Sequence, residues 1–348
     1  MEPTTYSTPD RLRVDVRVPA GSVTVRTQDT DTTTLAISGE RAPEDLVITF
    51  DEEGSGHRLV IEQRKKSRFG LSYARGIEVH LTVPHHTELE VKGGSTDLTV
   101  NGAIASVNFN SASGDAQLDE VTGDTSAKVA SGDLSVSAVA GDLSFYSASG
   151  DIRADSVGGK IVARTASGDV EVGQVNNKVN VTTVSGDVRL GNLVGGNVNL
   201  QAVSGDIEVG VAPGSHLYLD LSFYSASGDI RADSVGGKIV ARTASGDVEV
   251  GQVNNKVNVT TVSGDVRLGN LVGGNVNLQA VSGDIEVGVA PGSHLYLDLS
   301  SLSGSTESDL SVSDSPQPSA PAAGAAKEAA LKAATVSGDI RVRHSSSA

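Results

Sequence analysis

The chain has 348 residues, with no cysteine, no tryptophan, 40 glycines and only 3% aromatic residues. Its formal net charge of −16 argues against nucleic acid as a general partner, because phosphate binding requires a basic surface. No stretch approaches the roughly 20 apolar residues of a membrane-spanning helix, and the first residues lack the apolar core of a signal peptide. We therefore expect a cytoplasmic protein without a membrane span, or an extracellular one if an export signal has been removed.

Short alternating strands fill the amino-terminal region. The run RLRVDVRV places Leu12, Val14, Val16 and Val18 on one face of a strand, and similar runs follow at short spacing. An open end of a sheet recruits other chains unless it is covered. The pattern therefore predicts a β-rich amino-terminal cap over residues 1–95.

One segment of this region is basic, in contrast to the acidic chain. The stretch EQRKKSRFGLSYARG is interpreted as a solvated hairpin loop, with contact to an anion, a membrane surface or a protein partner as the alternative. The cations that would make this contact are Arg64, Lys65, Lys66, Arg68 and Arg75.

Residues 96–310 repeat with a period of nine. Within each unit the pattern D-V-x-V-x-x-V alternates like a strand with one buried face, and alternate units carry Ser-Gly-Asp. Such a unit is too small to fold alone, whereas stacked units bury a continuous core. The sequence predicts an all-β fold, a single-stranded, right-handed β-helix or β-solenoid in which one full turn, called a rung here, takes about 18 residues.

Ser-Gly-Asp is interpreted as a corner, in which glycine supplies a positive φ and aspartate bonds to its own turn. Stacking places the aspartates about 5 Å apart, so hydrogen bonds must offset their repulsion, or protons or cations must neutralise it. We favour a structural ladder over a calcium array, because calcium-binding β-rolls have paired glycines that these units lack. The ladder comprises Asp115, Asp133, Asp151, Asp169, Asp187, Asp206, Asp229, Asp247, Asp265 and Asp284.

A stricter repeat is superimposed on the rungs. Residues 142–219 recur as residues 220–297 without a single difference. Natural copies diverge, so we interpret the second copy as an engineered lengthening of a shorter parent. From Gly205 to Gly228 the rung takes 23 residues, which predicts a wider rung or a bulging loop at this junction.

The carboxyl-terminal region changes character twice. Residues 311–326 are rich in proline, serine and alanine, which predicts a flexible linker. The stretch AAKEAALKAA consists of strong helix formers, and TVSGDIRVRH then returns to the rung pattern. We therefore predict a short helix and a final capping strand over residues 327–348.

Nothing in the sequence indicates catalysis. Acids that recur on nearly every rung occupy structural positions, whereas acid–base pairs need different environments. His85 and His86 are neighbours on a strand and point to opposite faces, which disfavours a shared metal. We expect no catalytic residue, no cofactor and no metal site, and hence no enzyme.

The segments LRVDVRVPAGSVTV and IEVHLTVP…TELEVKGGSTDLTV, followed by serial SGDVxV repeats, resemble a bacterial putative-adhesin family of unknown function over about residues 8–310. The resemblance implies a β-solenoid without an assigned activity or catalytic residues. We expect a non-enzymatic scaffold or protein-interaction protein, either monomeric or associated end to end. The alternative is a cell-surface adhesive or ligand-binding protein with cations bound along the aspartate edge.

Overall fold

The computed structural model describes residues 2–39, 46–63, 76–211, 220–235, 237–291, 293–310 and 328–345. These residues form strands and turns, and no helix occurs among them, so the predicted all-β fold is confirmed. It follows that the described part of the chain has no helix that could cross a membrane. The chain divides into two compact units, Met1–Asn177 and Lys178–Ala348.

The strands of the first unit form two sheets that face each other. They are β1 (Thr4–Ser7), β2 (Arg11–Arg17), β3 (Ala20–Gln28), β4 (Thr32–Ser38), β5 (Leu46–Glu53), β6 (Gly56–Gln63), β7 (Ile77–Pro84), β8 (Thr87–Lys92), β9 (Ser95–Ile104), β10 (Ser106–Ser111), β11 (Ala116–Val121), β12 (Thr125–Val129), β13 (Leu134–Val139), β14 (Leu143–Tyr146), β15 (Ile152–Val157), β16 (Ile161–Arg164) and β17 (Val170–Val175). Sheet 1 has the order β1-β4-β7-β3-β9-β11-β13-β15-β17, and sheet 2 has the order β5-β6-β2-β8-β10-β12-β14-β16.

Each regular rung contributes one strand to each sheet, and successive rungs pair in parallel. Residues 18 apart are partners, as in the series Leu134, Ile152 and Val170, and these inward side chains are buried. The third apolar position of the repeat, such as Val139, is buried as well, three residues after the buried Val136. The 18-residue rung predicted from the sequence is therefore confirmed.

The amino-terminal end is closed by antiparallel strands. β4 runs antiparallel to β7, and β5 runs antiparallel to β6. The first rung of the sequence, β2 with β3, does not lie at this end but between β6–β7 and β8–β9. β2 and β3 are therefore each held between two neighbouring strands of their sheet.

The second unit also has two sheets, and its described strand pairs are parallel. Its strands are β18 (Val179–Thr182), β19 (Val188–Leu193), β20 (Asn197–Ala202), β21 (Ile207–Val211), β22 (Asp220–Ser225), β23 (Ile230–Val235), β24 (Ile239–Thr243), β25 (Val248–Val253), β26 (Val257–Ser263), β27 (Val266–Leu271), β28 (Gly274–Ser282), β29 (Ile285–Val289), β30 (His294–Ser303), β31 (Thr306–Ser308), β32 (Glu328–Ser337) and β33 (Ile340–His344). Within this unit the odd-numbered strands form one sheet and the even-numbered strands the other, and they are named sheet 1 and sheet 2 of the second unit.

The junction between the two copies keeps the register of the rungs. Ile207 pairs with Ile230, and Asn197 pairs with Asp220, although 23 residues separate each pair. Residues 212–219 lie outside the described residues, so the predicted wider rung or loop stays a prediction. The surplus residues do not disturb the strands on either side.

The carboxyl-terminal tail forms a rung in an unexpected place. β32 lies between β28 and β30, and β33 lies between β29 and β31. The predicted short helix is therefore wrong for residues 328–337. Helix preference is worth less than about 1 kcal/mol per residue, whereas Ala329, Leu331 and Ala333 alternate inward and fill the core of a rung. The tail is the penultimate rung rather than the outermost one.

Candidate functional site: charged ladders on the rungs

In the first unit the predicted aspartate ladder follows one corner of the rungs. The backbone N–H of Asp133 donates to Oδ1 of Asp115 over 3.0 Å, and that of Asp151 donates to Oδ1 of Asp133 over 2.8 Å. Asp169 repeats the contact on Asp151 at 2.9 Å, and Asp97, which the sequence analysis did not include, accepts from Asp115 at 3.1 Å. Each carboxylate bonds to the next rung, whereas the sequence predicted a bond within its own turn.

The second unit has the same contact along its own rungs. Here Asp187 accepts from Asp206 (3.0 Å), Asp206 from Asp229 (2.9 Å), Asp229 from Asp247 (3.0 Å), Asp247 from Asp265 (2.8 Å), Asp265 from Asp284 (2.9 Å) and Asp284 from Asp339 (2.8 Å). Asp339 belongs to the tail rung and accepts from the backbone N–H and the hydroxyl of Ser305. These hydrogen bonds lower the pKa of Asp339, and the positive charge of Arg341 lowers it further.

The corner glycines are required by close approach rather than by the positive φ that we predicted. Gly114, Gly132 and Gly150 do not adopt a positive φ. A Cβ on Gly150 would lie 1.9 Å from the carbonyl oxygen of Gly132, and one on Gly132 would lie 2.0 Å from that of Gly114. Neighbouring rungs are therefore too close at this corner for any side chain.

A shorter ladder of the same kind follows the opposite corner in the first unit. The N–H of Asp142 donates to Oδ1 of Asp124, and the N–H of Lys160 donates to Oδ1 of Asp142, each over 2.8 Å. The lysine ends this series of carboxylates, so like charges are fewer at this corner.

An alternating column of Arg and Glu accompanies the aspartates in the second unit, and the sequence analysis missed it. The residue two positions after each corner aspartate faces outward from sheet 1, and strand register places these residues next to one another. In spatial order they are Arg189, Glu208, Arg231, Glu249, Arg267, Glu286 and Arg341, followed by Glu307, which comes two residues after Ser305 rather than after an aspartate. Opposite charges are therefore neighbours along the column.

The arginines of this column also neutralise the aspartate ladder. Arg189 lies 2.7 Å from Oδ2 of Asp187, and Arg267 lies 2.8 Å from Oδ2 of Asp265. The same carboxylates use Oδ1 for the next rung. In the second unit, hydrogen bonds and arginine neighbours together thus offset the repulsion between the aspartates, for which the sequence analysis had left protons or cations as alternatives. The signal was the alternation of Arg and Glu two residues after each Ser-Gly-Asp from Asp151 onward.

A buried carboxylate fixes the inserted amino-terminal strand. Asp15 of β2 has no exposed surface and accepts from Arg58 of β6 over 2.9 Å and from Arg13 over 3.2 Å. Arg13 also donates to Glu90 of β8 over 3.1 Å. Burial alone would raise the pKa of Asp15, but the hydrogen bonds from Arg58 and Arg13 outweigh it and hold that pKa below its ordinary value.

The other predicted positions do not form a site in the described structure. The basic loop with Arg64, Lys65, Lys66, Arg68 and Arg75 lies outside the described residues, so its interpretation stays a prediction. His85 and His86 each contact a backbone carbonyl, that of Ala103 and that of Asp10. Among the residues that the structure describes, no three His, Asp or Glu side chains are grouped to hold a metal ion.

Parallel rungs, close-packed corner glycines and capping carboxylates define a β-solenoid. The chain belongs to the Toastrack DUF4097 family, whose model matches residues 11–217 and again residues 191–343. The expected family of β-solenoids without an assigned activity is thereby confirmed, and it is not a known enzyme family. The comparison with curated proteins found no match.

Two crystal structures of bacterial proteins were also found by comparison. A "putative cell adhesion protein" from Clostridium sporogenes is 9% identical with a TM-score of 0.20, and the match covers 99% of each chain. A "putative adhesin" from Bacteroides fragilis is 13% identical with a TM-score of 0.23, and the match covers 98% of this chain and 95% of that one. Scores this low carry no argument about this chain.

Proposed function

We propose that this chain is a non-catalytic scaffold that binds a macromolecular partner through the outward faces of its rungs. The observation that carries the proposal is the use of the repeated acids. Along both described stretches of the ladder, Oδ1 of one aspartate accepts the N–H of the next rung. These carboxylates hold the fold together, so they are not a row of reactive groups.

The outward positions support a role in recognition. The inward residues at one position of successive rungs, Leu134, Ile152 and Val170, are all aliphatic. The outward residue that follows differs between rungs, for example Ser135 in one rung and Arg153 in the next. Rungs contact mainly their neighbours, so outward side chains can vary without changing the fold. A solenoid of this kind presents a flat surface whose chemistry is set residue by residue.

We further propose that the second copy lengthens a shorter parent. Both copies form the same strands: Ile152–Val157 corresponds to Ile230–Val235, and Val170–Val175 corresponds to Val248–Val253. The two overlapping matches of the family model also support an added segment. Added rungs extend the surface because each stacks on its neighbour as the original did.

The double variant Asp133→Asn/Asp151→Asn tests the role of the ladder. Asparagine keeps an acceptor oxygen and removes the charge. We therefore expect the unsubstituted chain and the variant both to fold, and calcium to leave the melting temperature of each unchanged. A large stabilisation of the unsubstituted chain at micromolar calcium, lost in the variant, would instead support the cation-assisted adhesive alternative.

Solution mass tests whether the scaffold also associates with itself. The outermost described rung of the second unit, β30 with β31, leaves Tyr296 66% and Leu302 83% exposed. Light scattering over a hundredfold range of concentration separates the two cases. A constant monomer mass would mean that the chain does not self-associate and that its partner binds the outward faces of the rungs. A mass that grows with concentration would mean that the ends of the solenoid pair with one another.

A further inference from the structure

From β8 to β16 the outward face of sheet 2 in the first unit carries a cation on every second rung, and Arg17 of β2 lies next to Lys92 at the start of this series. Strand register places Lys92, Asn110, Lys128, Tyr146 and Arg164 next to one another in that order, on β8, β10, β12, β14 and β16. These five residues are called the basic column. Rungs are about 4.8 Å apart, so its three cations recur about every 10 Å.

Two of these cations, Lys128 and Arg164, lie by the ring of Tyr146 and have no carboxylate partner among the described residues. Nζ of Lys128 lies 5.8 Å from the centre of the Tyr146 ring, and Cζ of Arg164 lies 5.7 Å from it. No carboxylate of the described ranges lies within ion-pair distance of Lys128 or Arg164, whereas Lys92 contacts Glu90. The arginines of the Arg–Glu column on sheet 1 differ, because they lie beside aspartates. Within the described ranges Lys128 and Arg164 therefore present positive charge without a carboxylate partner on an acidic protein.

An open groove lies beside the basic column. Its volume is about 700 Å³, and Lys92, Asn110, Lys128 and Tyr146 line it together with small residues of the adjacent corner, among them Ala112 and Ala130. The small corner residues leave room for a chain to lie against the cations. The four residues of the basic column that line the groove are neighbours in strand register.

We propose that the basic column binds a linear polymer of acidic sugars. Carboxylates of the polymer would lie beside Lys92, Lys128 and Arg164, and sugar hydroxyls would bond to the amide of Asn110 and the phenol of Tyr146. This inference rests on the proposed function, since it names the partner of one outward face.

The spacing of charge favours such a polymer over nucleic acid. Double-stranded DNA carries one charge per about 1.7 Å of its axis, and strong binding neutralises roughly six to ten phosphates. The basic column offers three cations at about 10 Å intervals on a chain of net charge −16. A sparsely charged polymer meets these cations without placing its other charges against an acidic surface.

The second copy supplies a matched control within the same chain. Tyr224 and Arg242 are the copies of Tyr146 and Arg164, but Gln201 occupies the position of Lys128. Nη1 of Arg242 also donates to the hydroxyl of Tyr224 over 3.1 Å. The copied site thus has the same tyrosine and arginine without the row of cations.

Binding of fluorescent hyaluronan oligosaccharides to the full chain, measured by polarisation at several salt concentrations, tests the proposal. Hyaluronan carries one carboxylate per disaccharide, and dextran and oligo-dT serve as neutral and nucleic-acid probes. We expect Lys128→Gln to weaken binding about fivefold and to make binding less dependent on salt, because one charge contact is lost. Arg242→Gln, the substitution in the copied site, should change affinity less than twofold.

The proposal would be overturned by no binding of hyaluronan, by equal binding of dextran, or by equal effects of Lys128→Gln and Arg242→Gln. Tighter binding of oligo-dT would overturn it in favour of nucleic acid. Circular dichroism of both variants checks that these exposed substitutions leave the fold intact. The calcium test of the ladder does not involve the basic column, so the proposed scaffold and its proposed ligand can fail separately.

Discussion

Removing buried surface from the tail rung should destabilise the protein as much as removing it from an interior rung. Ile340 has no exposed surface and lies between Ile285 of β29 and Thr306 of β31. Ile340→Ala deletes three carbon atoms, worth about 0.8 kcal/mol each in lost burial. Rungs on both sides keep the resulting cavity open, so we expect a total loss of about 3 kcal/mol.

Equilibrium urea unfolding followed by circular dichroism measures this loss. Ile285→Ala is the matched control, because its side chain is equally buried at the same position of the preceding rung. We expect the two losses to agree within about 1 kcal/mol, since each site has a rung on both sides. A loss below about 0.5 kcal/mol for Ile340→Ala alone would refute the insertion of the tail.

Disulfide mapping tests the order of the rungs directly, because the chain has no cysteine of its own. Cysteines at Glu286 and Arg341 would be on adjacent strands, within the roughly 7 Å that a disulfide spans between Cα atoms. Cysteines at Glu286 and Glu307 would be two rungs, or about 10 Å, apart. We expect the first pair to cross-link and the second not to. The opposite result would place the tail outside the stack.

Two further predictions concern charge. The folded pKa of Asp15 is depressed, so its contribution to stability is present above the unfolded pKa of about 4 and disappears as pH falls through the folded value. The stability difference between the protein and Asp15→Asn should therefore be largest above pH 4 and shrink on acidification, and a difference constant with pH would contradict this. Arg341→Glu places three glutamates in a row with Glu286 and Glu307, so urea unfolding should show a loss that high salt reduces, unlike that of Arg341→Gln. An equal loss for both variants at all salt concentrations would refute a role for the charge pattern.

The rungs could be predicted because their causes are local. Glycine at the corner, aspartate after it and alternating apolar residues recur every 18 residues, and stacking follows from them. The detailed contacts could not be predicted in the same way. Oδ1 of Asp133 accepts a hydrogen bond from the backbone N–H of Asp151 in the next rung, and a side chain on Gly150 would clash with the carbonyl oxygen of Gly132. Both contacts therefore depend on a neighbour 18 residues away.

The position of the tail agrees with the order of charges, whereas periodicity alone does not specify it. The apolar pattern is the same in all rungs, so TVSGDIRVRH predicts that the tail forms a rung but not between which rungs it stacks. In chain order Glu286 is followed by Glu307 and then Arg341, which breaks the alternation of charge. Inserting Arg341 between the two glutamates restores the alternation, as the structure shows. The sequence therefore contained the signal, but only a comparison across distant rungs reveals it.

The amino-terminal insertion has a similar origin. β2 comes first in the chain, yet it lies between β6 and β8. Asp15 and Arg13 on β2 contact Arg58 on one side and Glu90 on the other. An aspartate in an alternating strand resembles an ordinary surface residue, so its buried partners could not be inferred from RLRVDVRV alone.

Deleting residues 220–297 should leave a shorter chain that folds as the full chain does. The deleted segment is 78 of the 348 residues, and the remaining copy is identical to it. Glu208 then takes the place of Glu286, so the tail rung would keep a glutamate as its charged neighbour. We expect the heat of unfolding to fall by about a fifth, in proportion to chain length, while the melting temperature changes little. Calorimetry measures both quantities, and hydrogen exchange reports whether the tail rung stays protected. A shortened chain that aggregates or leaves its tail unprotected would show that the copies are not interchangeable, and the lengthening hypothesis would then be wrong.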